Sequence, residues 1–223
     1  VGNLGENSFY KASDRYPVAV YANDFYKQGT MQCVITLYLK EKADGVLKEF
    51  TAHTRDDVVE QLPFIKKRFL TYADFGKASF DKIFTEEELK HSIKYTANYL
   101  ISSFVRNNGN GNFSLEPLPA VAQFSAINAM VADDFDNDGN LDVCVNTNDF
   151  GTDPANGRYD ALNGLVLKGD GKGKFKPLTI MQSGIYIPGS GKGVAKLKSG
   201  NGNYLLVASQ NKGRLKVFQL KVR

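Results

Sequence analysis

Residues Asp134 to Asp142 read D-F-D-N-D-G-N-L-D, with carboxylates at the first, third, fifth and ninth places and glycine at the sixth. Four acids packed so closely repel one another unless a cation sits among them. Hard oxygen donors at this spacing suit Ca²⁺, which takes six to eight oxygen ligands. Asp134, Asp136 and Asp138 would give carboxylate oxygens, Asn140 its backbone carbonyl, and Asp142 would close the cage. Gly139 allows the sharp turn because it has no Cβ. The alternative is a solvated acidic turn.

The loop is not an EF-hand. An EF-hand ends with a bidentate Glu at its twelfth place, and that place here is Val145. The flanks, Ala126 to Ala132 and Leu141 to Thr147, are short, partly alternating and rich in β-branched residues. They read as strands, so the ion would sit in the turn of a β-hairpin.

Other segments echo this unit. Asn107 to Phe113 is similar to Lys168 to Leu178, a glycine-rich turn running into a strand, and Asn3 to Phe9 is a shorter version. Strand-like runs follow each: Val18 to Phe25, Ile127 to Phe135, then Gly193 to Leu197 and Tyr204 to Ala208. Repetition on this scale, with about four strands per unit, points to propeller blades.

On these residues the chain resembles FG-GAP/VCBS repeat β-propellers. More closely it resembles the C-terminal part of cartilage acidic protein/UnbV-like (ASPIC/UnbV) bacterial proteins. Gln61 to Phe69 and Thr71 to Phe75 match an insertion of that group. The resemblance implies a mainly β fold, a partial propeller of about three four-stranded blades with a small helical insertion. It also implies an extracytoplasmic location, a calcium ion that stiffens a blade, and no assigned reaction. Two blades depart from the pattern. Aligning Asp24 with Asp134 leaves only Asp24 and Gly29, with Tyr26, Gln28 and Gln32 at the other places, and Leu197 to Asn203 has no carboxylate. One calcium site is expected.

The expected divisions are a remnant of a preceding blade at 1–16, a blade at 17–119 with its insertion at about 52–93, the calcium-binding blade at 120–182, and a basic terminal blade at 183–223. In the insertion, Pro63 can open a helix from Phe64 to Phe69, and Thr71 can cap a turn running to Ser79. Thr85-Glu-Glu-Glu88 is a capping box, with Lys90, His91 and Lys94 expected near the helix end. Phe64, Phe69, Tyr72, Phe75, Phe80 and Phe84 would form its apolar face. The insertion is expected either to pack on the blade or to act as a lid or docking element.

A chain of 223 residues, 42% hydrophobic, can bury a core. No run approaches the length of a membrane helix. Val1 opens inside a repeat, so we expect a piece of a longer chain with any leader upstream. Cys33 and Cys144 fall on matching strands, expected to be buried free thiols.

Charge is uneven. Of 28 Lys and Arg, 12 lie between Lys168 and Arg223, where Asp170 is the one acid, so this stretch carries +11 and the rest −7. Lys172, Lys174, Lys176, Lys196, Lys198, Arg214 and Lys216, with Lys221 and Arg223, are either a solvated strand face or a face for a polyanion. Nucleic acid is not expected, because no binding motif or stacking pattern accompanies the charge.

No catalytic grouping stands out: the chain has two histidines, His53 and His91. Gly189-Ser-Gly-Lys-Gly193 lacks P-loop spacing. Asp149, Asp153, Tyr159 and Asp160 are polar loop residues that a glycan could use. Two function classes follow. One is a non-catalytic, calcium-stabilised segment that binds a protein or acidic glycan, self-associates, or joins the other blades of its parent chain. The other is part of a calcium-dependent, lyase-like polysaccharide enzyme, which needs a positioned base.

Overall fold

The computed structural model describes residues 1–41, 45–154 and 156–220. Among the described residues the chain is mainly β, with several antiparallel sheets and no closed barrel. It falls into two compact units, Tyr10–Tyr99 and Val1–Phe9 with Leu100–Arg223. The 17–119 segment of the sequence reading spans both.

In the Tyr10–Tyr99 unit, β1 (Val18–Asn23), β2 (Gln32–Lys40), β3 (Leu47–Thr51) and β4 (Ile93–Ala97) form one antiparallel sheet in the order β3-β2-β1-β4. Between β3 and β4 run five short helices: α1 (Arg55–Gln61), α2 (Ile65–Arg68), α3 (Tyr72–Lys77), α4 (Phe80–Ile83) and α5 (Glu86–Leu89). Helices this short are not stable alone. Caps and packing hold them. The side chains of Thr54, Thr71 and Thr85 accept from the backbone N–H three residues on, and Thr54 and Thr85 complete capping boxes with Asp57 and Glu88. Val58, Leu62, Ile65, Phe75, Phe80, Ile83 and Phe84 bury themselves with Val34 of β2.

The insertion therefore packs on its own sheet, with three corrections in detail. Tyr72 points outward, 65% exposed, and gives its hydroxyl to Asp56. α5 ends at Leu89, so Lys94 lies in β4 rather than at a helix end. Cys33 is exposed; strand alternation sends Val34 into the core and the preceding thiol outward.

In the second unit, β5 (Ser103–Gly109) and β6 (Asn112–Pro117) form a hairpin. Then β7 (Ile127–Asp133), β8 (Asp142–Thr147), β9 (Leu165–Gly169) and β10 (Phe175–Leu178) follow one another as a four-stranded meander. After α6 (Ile180–Ser183), β11 (Gly191–Lys198), β12 (Tyr204–Gln210) and β13 (Lys216–Gln219) form a three-stranded sheet.

The meander is buried on both faces, and alternation assigns the faces. Val145, Leu165, Leu167 and Phe175 pack with Phe104 of β5, Leu118 and Ala122. Cys144, Val166 and Leu178 pack the other way, onto Ile185, Ile187, Val194, Leu206, Ala208 and Phe218. The result is three layers of strands around two cores.

Among the described residues, the far face of the three-stranded sheet has no such cover. Opposite Val194, Leu206 and Phe218 lie Ala195, Leu197, Leu205, Val207 and Val217. Leu197 and Val217 are 51% and 55% exposed.

Side-chain amides fasten the layers. The Asn146 side chain, 0% exposed, donates to the carbonyls of Gly193 and Ser209, both at 2.9 Å. Asn128 donates to the carbonyls of Asn148 and Gly191. The Gln123 amide nitrogen donates to the carbonyls of Ser102 and Leu118, and its oxygen accepts from the Ser102 N–H.

Candidate metal centre

The β7–β8 hairpin closes where Asp133 pairs with Asp142. Inside the turn, the Asp134 carboxylate accepts from the N–H groups of Asp138 (3.1 Å) and Gly139 (2.9 Å). Asp136 Oδ1 also accepts from Asp138 N–H, at 3.3 Å, and Asp138 Oδ1 accepts from Asn140 N–H, at 2.9 Å. Asn137 and Gly139 both adopt positive φ, 59° and 86°, which Asn and Gly tolerate best.

The β1–β2 hairpin supplies an internal comparison. Asp24 accepts from the N–H groups of Gln28 (3.0 Å) and Gly29 (2.6 Å), at the same offsets of four and five residues. Lys27 and Gly29 take positive φ, 55° and 79°. Backbone hydrogen bonds, first that from Gln28, hold the Asp24 carboxyl below the usual carboxylate range. Gln32, at the place of Asp142, accepts from Phe25 N–H at 3.1 Å as Asp142 does from Phe135, so the first and ninth places set this turn, and the shape does not call for Asp136 or Asp138.

Those two acids add oxygen donors on top of the turn. Carboxylate oxygens of Asp134, Asp136 and Asp138 lie within 4.8 Å of one another. A carboxylate oxygen that accepts one N–H keeps a second lone pair for a cation. Three hard donors at alternate residues of a tight turn fit Ca²⁺. Asp142, also expected as a ligand, lies outside this trio. It is 3% exposed, and its oxygens accept from Phe135 N–H (3.2 Å) and Gly169 N–H (2.9 Å). It ties the hairpin base to the end of β9. The Asn140 side chain packs where a Cβ on Gly171 would stand, in the β9–β10 turn.

A lysine joins the acids. Lys168 Nζ of β9 makes an ion pair with Asp136 and a second, at 2.9 Å, with Asp138. Its hydrogen bonds to Asp136 and Asp138 hold the ammonium above its ordinary range. The same contact, followed by the Asn140 N–H, holds the Asp138 carboxyl below its ordinary range. In the sequence Lys168 stands in the glycine-rich repeat and the basic stretch, 30 residues beyond Asp138.

The other basic residues are spread over two hairpins. Lys172, Lys174 and Lys176 are exposed on β9–β10 and its turn, where Lys174 comes within 3.8 Å of Glu116. Lys196 pairs with Asp133 across the layers and lies 4.2 Å from the centre of the Tyr204 ring. Lys198, Lys196 and Lys216 share the side of their sheet that carries Leu206 and Phe218. Arg214 is exposed in the β12–β13 turn. Lys221 and Arg223 lie outside the described residues.

The glycines of Gly189-Ser-Gly-Lys-Gly193 have a packing role. A Cβ on Gly189 would collide with the Gln210 side chain, and one on Gly191 with Asn146. Asp149 bridges to Tyr159 through paired backbone hydrogen bonds of 2.9 Å and comes within 3.8 Å of Lys192.

Among the described residues, no helix is long and apolar enough to cross a membrane. No family model, curated protein or solved structure matches the chain.

Proposed function

We propose that this chain is a non-catalytic, calcium-stabilised segment of an extracytoplasmic β-propeller of the FG-GAP/VCBS kind, with a binding role. The observation that carries the reading is the acidic hairpin turn. Its shape is set by Asp134 and Asp142, as its acid-poor counterpart is set by Asp24 and Gln32, yet it bears two further carboxylates aimed at the same small volume. Clustering like charges beyond what the turn needs is costly unless a cation is the purpose. Asp134, Asp136 and Asp138 would hold the ion directly. Asp142, buried and bonded to two backbone N–H groups, would keep the hairpin in register. A bound Ca²⁺ would supply charge neutralisation and a rigid cross-link at the end of the meander.

The stacking of antiparallel sheets supports the propeller part. The meander covers both faces with other strands, as a blade does between its neighbours. The uncovered side of β11–β13, with Leu197, Val207 and Val217 and no charged residue on its strands, favours a protein surface over an acidic glycan as the partner. A contiguous apolar face of this kind marks a contact site, and the fitting occupant is another sheet of the same build.

Calcium titration followed by calorimetry tests the metal reading. The unmutated chain should bind one ion. The Asp136→Ala/Asp138→Ala pair should bind none, and a chain that takes up no calcium at all would overturn the proposal.

A further inference from the structure

We infer that Lys168 is the resident counter-ion of the acidic hairpin, that calcium enters by displacing its ammonium, and that this one lysine therefore sets the affinity of the site. The inference rests on the calcium reading above.

Competition for the acids depends on which of their oxygens are engaged. Within the loop, the backbone uses Oδ1 of Asp136 and Oδ1 of Asp138, through the N–H groups of Asp138 and Asn140. The Oδ2 atoms remain, and Lys168 Nζ sits on both of them. Free of backbone hydrogen bonds, these are the strongest donors that Asp136 and Asp138 can offer a cation. Ammonium and calcium therefore compete for the same two atoms and cannot both hold them.

The charges favour exchange over permanent closure. One ammonium against three carboxylates leaves the pocket with two uncompensated negative charges, still attractive to a divalent ion. Lys168 is also free to leave. Its side chain is 36% exposed, and a four-carbon stem swings to water with little loss of packing. The lysine belongs to the acids and not to the turn. At the matching places the β1–β2 hairpin has the neutral Tyr26 and Gln28, and it keeps the same fold of its backbone.

Lys176 provides the control. It lies directly opposite Lys168 on the neighbouring strand, so the two side chains share a face. Its removal takes the same charge from the same region without opening the two oxygens.

Three versions of the 223-residue chain should be compared: unmutated, Lys168→Met, and Lys176→Met. Each is titrated with CaCl₂ by calorimetry and melted in EDTA. Methionine keeps the length of the stem and drops the charge. Exposed ion pairs are weak individually, so release from two of them should tighten calcium binding by roughly two- to thirtyfold in Lys168→Met. The change in Lys176→Met should be clearly smaller. In EDTA the order reverses: Lys168→Met should melt below the unmutated chain, because its acids have lost their counter-ion, and Lys176→Met should not. If the unmutated chain binds calcium and Lys168→Met binds it equally or more weakly, the exchange is refuted while the calcium reading stands. Equal gains in both lysine variants would refute it too, reducing Lys168 to background charge. If no chain binds calcium, the calcium reading falls and the exchange with it. In that case a lowered midpoint for Lys168→Met alone would still show the counter-ion role, and an unchanged midpoint would remove that as well.

Discussion

Asn146→Asp is the sharpest test of how the layers are held. Asparagine and aspartate have nearly the same shape, so the change leaves no cavity. What it removes is the amide donor. In the fold, Asn146 Nδ2 donates at 2.9 Å to both Gly193 O and Ser209 O, in the adjacent sheet. A carboxylate there would face two carbonyl oxygens with nothing to give them. Two hydrogen bonds net about 1 kcal/mol each, and an acceptor left buried without a partner adds about 1–3 kcal/mol. Losing both contacts should therefore cost roughly 3–5 kcal/mol even for Asn146→Ala, and more for a charged aspartate. At 223 residues that corresponds to a fall in thermal midpoint of roughly 6–20 °C. The pH dependence carries its own signature. Burial raises the folded pKa of the new carboxyl above its unfolded value of about 4. The folded state then binds more protons between those two values, so stability falls as pH rises through that window. The assay is thermal unfolding of Asn146→Asp and Asn146→Ala at pH 5 and pH 8. An aspartate variant that melts with the unmutated protein at pH 8 would refute the account of this residue as a clasp between sheets.

Other expectations concern separate parts of the chain. Glu88 meets Arg68 through two hydrogen bonds of 2.9 and 2.6 Å, and this contact lowers its pKa from 4.5 to about 2. Its stabilisation is present above pH 4.5 and lost as pH falls toward 2. Both groups are partly exposed, so the effect is at most about 1 kcal/mol. Acid titration of unfolding should show Glu88→Gln with a flatter fall in that window; an identical slope would exclude the ion pair as a contributor. The two thiols should separate by rate. Cys33 is exposed and should react with a disulfide reagent in the native state, whereas Cys144 is buried, with its thiol pushed up to about 12 by burial, and should react only on unfolding. Equal native rates would contradict the placement of Cys144 between two sheets.

The parts of this fold that were legible in the sequence are those governed by local chemistry. The Asp134 turn announced itself through acids and a glycine, and Thr85 with Glu88 through capping spacing, because each acts within a few residues. Strands β7 and β8 were legible from β-branched alternation. Placement across the chain was not. Nothing local tells Cys33 from Cys144, since their burial depends on which face of each strand another layer covers. Nothing local pairs β4 with β1 across the whole helical insertion. Lys168 escaped notice beside the acids because it lies 30 residues beyond Asp138, brought there by β9 pairing with β8. The clasp by Asn146 depends on carbonyls of another sheet. Its one local signal is the uncharged polar run Asn146-Thr-Asn148, placed directly after the buried Val145.

The central claim is that the acidic hairpin is a calcium site that stabilises the fold, and scanning calorimetry in calcium and in EDTA tests it most directly. A ligand that binds only the folded state, at about a hundred times its Kd, adds about 2.7 kcal/mol. For a chain of this size the midpoint should rise by roughly 5–10 °C in calcium. The rise should vanish in EDTA and in the Asp136→Ala/Asp138→Ala chain. Coincident midpoints for the unmutated protein in calcium and in EDTA would contradict the account.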